Sequence, residues 1–149
     1  MTDFSTMTAD DLWEEAASAN KNYRAEILFE LGCRQAAKMN YSRAESLFTE
    51  SRDLASAVGE ELLSGRASYS LGMVHYHRKQ YLWAVELFQN AANSYQLCGR
   101  FSWQGDAIYF MTQCLIEIND YPGALLNFDF AIGLYESEDN FSESARTYL

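Results

Sequence analysis

Gln80–Ala91 reads QYLWAVELFQNA, and the chain says nearly the same thing once before, in NYSRAESLFTES (Asn40–Ser51), and once after, in DYPGALLNFDFA (Asp120–Ala131). Three positions keep a constant spacing of 40 without a slip: Tyr41/Tyr81/Tyr121, Ala44/Ala84/Ala124 and Phe48/Phe88/Phe128. In the middle copy Tyr81, Ala84, Phe88, Ala91, Tyr95 and Cys98 follow at intervals of 3, 4, 3, 4 and 3, which puts all six on one stripe of an α-helix. The first copy repeats the spacing with Tyr41, Ala44, Phe48, Ser51, Ala55 and Val58, and the third with Tyr121, Ala124, Phe128, Ala131 and Tyr135. Small residues alternate with rings along this stripe, so closely packed helices are expected, with an alanine leaving room for a neighbour's ring.

A second helical segment precedes each copy. Glu26–Lys38 (EILFELGCRQAAK) aligns with Arg66–Arg78 (RASYSLGMVHYHR) and with Asp106–Ile118 (DAIYFMTQCLIEI), and Leu31-Gly32 recurs as Leu71-Gly72 and, weakened, as Met111-Thr112. Short polar turns, Met39-Asn40, Lys79-Gln80 and Asn119-Asp120, separate the two segments. Gly59 and Gly99 follow the second helices as stop signals, and Pro122 fits a first turn, where its missing N–H costs nothing. The unit is therefore helix, turn, helix, turn. Strand alternation is almost absent, so the fold class is all-α. One helix pair cannot cover its own apolar stripe, and stacked pairs must share a continuous core.

These residues resemble the tetratricopeptide repeat family, whose pattern is W-x2-L-G-x2-Y, then A-x3-F, then proline, with a period of about 34 residues. The Leu-Gly pair matches in two units and Ala-x3-Phe in all three, across roughly residues 25–137. The family's first aromatic is replaced by Leu28, Ser68 and Ile108, and its tyrosine by Gln35, His75 and Leu115; the closing proline is missing and the period is 40. Such long units resemble the extended subclass found in scaffold, regulator and motor-cargo proteins. The resemblance implies a right-handed α-solenoid of antiparallel helix pairs, about three repeats and part of a fourth. Residues 1–19 are then an acidic segment with a capping helix, which Thr8 and Asp11 would open as a capping box; residues 1–7 also read as a tail or fusion remnant. Residues 20–149 are the repeat domain, in units of about 20–59, 60–99 and 100–139, with a partial unit at 140–149. Phe141, Ala145 and Tyr148 would leave an uncovered stripe there, which implies either a longer parent protein or a second copy against it.

Composition narrows the function classes. Hydrophobic residues make up 48% of 149 residues, enough for a packed core and too much for a disordered tail. The net charge of −10 sits at the two ends: residues 1–20 carry five acids and no base, whereas residues 21–135 hold ten bases and twelve acids. No basic stripe exists to displace counterions, so nucleic acid is not an expected partner. No membrane span or signal peptide is expected either, and a cytoplasmic address follows by default. Cys33, Cys98 and Cys114 lack metal-type spacing and read as reduced, buried thiols. His75 and His77, two apart on a helix, face different ways and cannot chelate one metal; His75 is expected to be packed and His77 exposed. No nucleophile motif or phosphate loop occurs, so no enzyme, metal or cofactor is expected.

The family resemblance implies that the first helix of each unit lines a concave groove. It carries the groove positions onto Glu26, Arg66 and Asp106; Phe29, Tyr69 and Tyr109; Cys33, Met73 and Gln113; and Ala36, Tyr76 and Ile116. Rings at 29, 69 and 109 would anchor a partner, or else pack against the neighbouring unit. The family's carboxylate clamp needs lysines and asparagines, and only Arg66 is basic here, so an apolar or basic segment is the expected occupant. A non-enzymatic adaptor is the leading expectation. A self-assembling structural unit and a small chaperone of a secreted client are its alternatives.

Overall fold

The computed structural model describes residues 2–137, and among them the chain forms seven helices and no strand. They are α1 (Ala9–Ser18), α2 (Lys21–Ala37), α3 (Tyr41–Ala57), α4 (Glu61–His77), α5 (Tyr81–Leu97), α6 (Phe101–Glu117) and α7 (Tyr121–Ser137). Each helix packs on the next in a solenoid-like arrangement, and α2 also reaches α4 directly. The expected repeat is thus a helical one, with α2/α3, α4/α5 and α6/α7 as its pairs. Phe141, Ala145, Tyr148 and the partial fourth unit lie outside the described residues.

The turns repeat as faithfully as the helices. Met39, Lys79 and Asn119 take the left-handed conformation inside the pairs, with φ of 61°, 60° and 65°. Gly59 and Gly99 take it between pairs, at 77° and 67°. At each turn the amide three residues past the helix returns to a carbonyl in its last turn: Asn40 to Gln35, Glu60 to Ala55, Gln80 to His75, Arg100 to Tyr95 and Asp120 to Leu115. This closure satisfies carbonyls that the helix end leaves open. Asp120 then accepts the Gly123 N–H at 3.2 Å, capping α7, whose first turn holds Pro122.

Glycine decides how closely the pairs pack. A Cβ on Gly32 would lie 2.7 Å from the Phe48 ring, and one on Gly72 would lie 2.8 Å from the Phe88 ring. Room for these two rings therefore comes from the glycine of the first helix. Both phenylalanines are sealed. In the third pair Thr112 stands where the glycine would be, its hydroxyl turned to the Ile108 carbonyl at 2.7 Å, and the matching Phe128 is only half-buried.

The N-terminal segment belongs to the stack. Phe4, Leu12 and Ala16 are buried with Ile27, Leu28, Leu31 and Leu47. Phe4 rests on Tyr23 with ring centroids 5.8 Å apart, so residues 4–7 are part of the packed body and not a loose tail. The capping box is present: the Thr8 hydroxyl accepts the Asp11 N–H at 3.1 Å and the Asp11 carboxylate accepts the Thr8 N–H at 3.0 Å. Hydrogen bonds from Thr8, through its hydroxyl and then its amide, hold the Asp11 carboxyl below its ordinary pKa. A depressed folded-state pKa contributes stability above the unfolded value, and that stability is lost as pH falls through the folded one. Carboxyl titration by NMR is expected to place Asp11 below an ordinary aspartate, and Thr8→Ala to return it upward.

Candidate partner-binding cleft

A cleft of about 380 Å³ crosses the first helices of the three pairs. Five of the expected groove residues line it: Phe29 and Cys33 from α2, Arg66 and Tyr69 from α4, and Asp106 from α6. Ser70, Tyr95 and Trp103 complete its walls. The Arg66 guanidinium lies over the Phe29 ring at 4.7 Å and reaches the Trp103 ring at 5.9 Å, which fixes a cation between two aromatic planes. Asp106 accepts a short hydrogen bond of 2.5 Å from the Tyr135 hydroxyl, so its carboxylate is anchored to α7.

The rings at 29, 69 and 109 have three different surroundings. Phe29 is 8% exposed and packs on Phe48 at 5.6 Å, so it forms the floor of the cleft. Tyr69 is half-buried among Phe88, Tyr95 and Phe110, at 5.6, 6.4 and 6.1 Å. Burial first, and then the Asp106 charge, raise its pKa to about 12, so its hydroxyl stays protonated and able to donate. Tyr109 stands edge-on to Phe110 at 5.4 Å and is not part of this cleft. Phe110 was not among the expected residues, yet it touches Tyr69, Tyr76, Phe88 and Tyr109 and joins the second and third pairs.

A smaller recess of about 250 Å³ adjoins the cleft, sharing Cys33 and Ser70 and adding Ala36, Met73 and His77. Burial raises the Cys33 thiol to about 11, with Glu30 adding to the effect and Arg66 opposing it. At neutral pH it is therefore a small apolar lining group and not a thiolate. Tyr76 sits beyond the recess against Phe110 and Tyr81, at 5.9 Å from each. Glu26 accepts the Thr2 N–H at 3.3 Å near the N-terminus, and Gln113 is half-buried on α6; neither lines the cleft or the recess.

Trp103 and Tyr95 were the residues that sequence reading missed. Tyr95 lies on the core stripe of a second helix, but Gly65 opposite it removes a side chain, and a Cβ there would come within 3.3 Å of the ring. Trp103 stands edge-on to Tyr95 at 5.6 Å, and Arg100 reaches its ring at 5.3 Å. A tryptophan near a helix start, beside a glycine two residues on, was the available signal.

A larger cleft, of about 440 Å³, lies between the second helices, and four of its polar residues, Glu45, His75, Arg78 and Gln80, are paired with one another. His75 meets Gln80 at 2.7 Å and Glu45 at 3.5 Å, while Arg78 donates to Glu45 at 2.6 Å and to Ser42 at 2.8 Å. His75 is mostly covered and His77 exposed, in line with the sequence reading. Among the described residues no group of His, Cys, Asp and Glu is arranged to hold a metal, and no helix is long and apolar enough to cross a membrane. No protein-family model matches this chain and no curated protein aligns with it significantly, so its class rests on the repeat geometry itself: an all-helical array of stacked pairs.

Proposed function

We propose that this protein is a binding module related to the extended tetratricopeptide repeats, a non-enzymatic adaptor that takes a partner segment along its first helices. The observation that carries the reading is the Arg66 guanidinium held between Phe29 and Trp103 in an open cleft, beside the protonated Tyr69 hydroxyl. Such a site offers an apolar floor, aromatic walls and hydrogen bonds, the mixture that anchors one large side chain and its neighbouring backbone. Asp106 is the one carboxylate among the residues lining the cleft, so an apolar segment, or one that brings a basic group to Asp106, is favoured over an acidic one. A cytoplasmic adaptor is the corresponding cellular reading.

The test must spare the core. Tyr69→Ala would open a hole against Phe88 and Phe110, so the informative variant pairs Tyr69→Phe with Trp103→Ala, which removes a hydroxyl and a partly exposed ring. Affinity capture from native extract with mass spectrometry identifies a partner, and titration of its binding segment measures the effect. Binding is expected to weaken at least tenfold, about 1.4 kcal/mol, with the melting temperature kept. Equal affinity for wild type and variant would place the partner elsewhere on the molecule.

A further inference from the structure

The outward face of α7 departs from its counterparts in the earlier pairs. Leu126 occupies the position of Glu86 and Ser46, Phe130 that of Asn90 and Glu50, and Gly133 that of Asn93 and Asp53. On α3 and α5 these polar positions are all exposed although α4 and α6 are stacked in place. A further helix packed on α7 in the same register would therefore leave Leu126 and Phe130 bare, and they are 72% and 53% exposed. Their spacing with Gly133, at intervals of 4 and 3, makes one seam along the helix.

Gly133 is the second observation. Gly32, Gly65, Gly72 and Gly105 each stand where a Cβ would collide with a residue of a neighbouring helix, and one on Gly123 would meet Asp120. A Cβ on Gly133 would meet nothing within 4 Å. Glycine weakens a helix interior, and no contact among the described residues explains its presence there. A small residue flanked by large apolar ones is what close approach of another helix requires.

Charge selects the occupant. The exposed charges on α7 are Asp129 and Glu136, and the helix holds no Lys or Arg. A second copy would set the same acids against each other, on a chain whose net charge is already −10. We propose that Leu126, Phe130 and Gly133 form a docking seam for an amphipathic helix of another protein, apolar along one stripe and basic on its flanks. The seam is separate from the cleft of the first helices and does not depend on it.

The probe is a synthetic leucine–lysine amphipathic helical peptide, with a leucine–glutamate peptide of the same apolar stripe as its control, titrated by fluorescence anisotropy. Gly133→Gln fills the open space with a better helix former, so melting should hold or rise while docking is blocked. Leu126→Ser/Phe130→Asn installs the residues that the earlier pairs carry at these positions. In a Tyr69→Phe/Trp103→Ala background, which takes the cleft out of the measurement, the lysine peptide is expected still to bind, to bind at least tenfold more weakly once either seam variant is added, and to weaken as salt is raised. The glutamate peptide is expected not to bind. Equal binding of the lysine peptide to all variants, or no binding to wild type, overturns the proposal. Wild-type self-association in sedimentation that Gly133→Gln abolishes also overturns it, by giving the seam to a second copy.

Discussion

Phe88→Ala is expected to remove about 4 kcal/mol from the unfolding free energy, within the usual range for an aromatic ring deleted from a core. Phe88 is 0% exposed and its ring lies where a Cβ on Gly72 would stand only 2.8 Å away. It is also edge-on to Tyr69 at 5.6 Å and stacked with Phe110 at 5.9 Å, so one side chain joins the second pair to the third. Gly72 has no side chain with which to fill the hole, and the flanking helices are tied by their turns, so collapse is limited. Domains of this size are stable by about 5–15 kcal/mol, so the change removes a large share of the total. Because stacked repeats hold one another by nearest-neighbour contacts, the urea transition is also expected to broaden. Leu97→Ala, at a position 78% exposed, serves as the control and should stay within about 0.5 kcal/mol of wild type. A loss at Phe88 no larger than that of the control would show that the ring is not the wedge between pairs.

Arg34→Ala is expected to cost about 2–3 kcal/mol, through loss of charge-assisted bonds to backbone acceptors. The Arg34 guanidinium donates to the Met7 carbonyl at 2.7 Å and the Phe4 carbonyl at 2.9 Å, while its Nε meets Glu30 at 3.0 Å. One planar fork thereby ties the segment before α1 to the last turn of α2 and holds Phe4 in its pocket. Arg34→Lys should recover little, since a single ammonium cannot reproduce the fork. Hydrogen exchange is expected to rise through Phe4–Leu12 before it rises elsewhere, marking local release of the cap. Uniform loss of protection would instead mean that the cap and the repeats unfold together.

Most of the architecture was legible in one dimension. The constant interval between copies located the helix pairs, Gly59 and Gly99 located the turns between them, and the Thr8–Asp11 box marked the start of α1. Leu-Gly and Ala-x3-Phe marked the contact at which Gly32 and Gly72 admit Phe48 and Phe88. All of these are local properties, or contacts between two helices joined by a short turn, and a regular period constrains such contacts strongly.

The candidate sites obeyed a different logic. Phe29, Tyr69 and Tyr109 share one repeat position, yet the first is a sealed floor, the second half-buried beside the cleft and the third away from it. Trp103 and Tyr95 entered from positions that the repeat assigned to other duties, and Arg34 reached back along the chain to the Met7 and Phe4 carbonyls, which no side-chain pattern announces. Periodicity makes the chain a stack of helix pairs, because it fixes the angle of each residue about its own helix axis. Which stripes meet a neighbour and which stay open is set in three dimensions, because it depends on how each pair is rotated and staggered against the next.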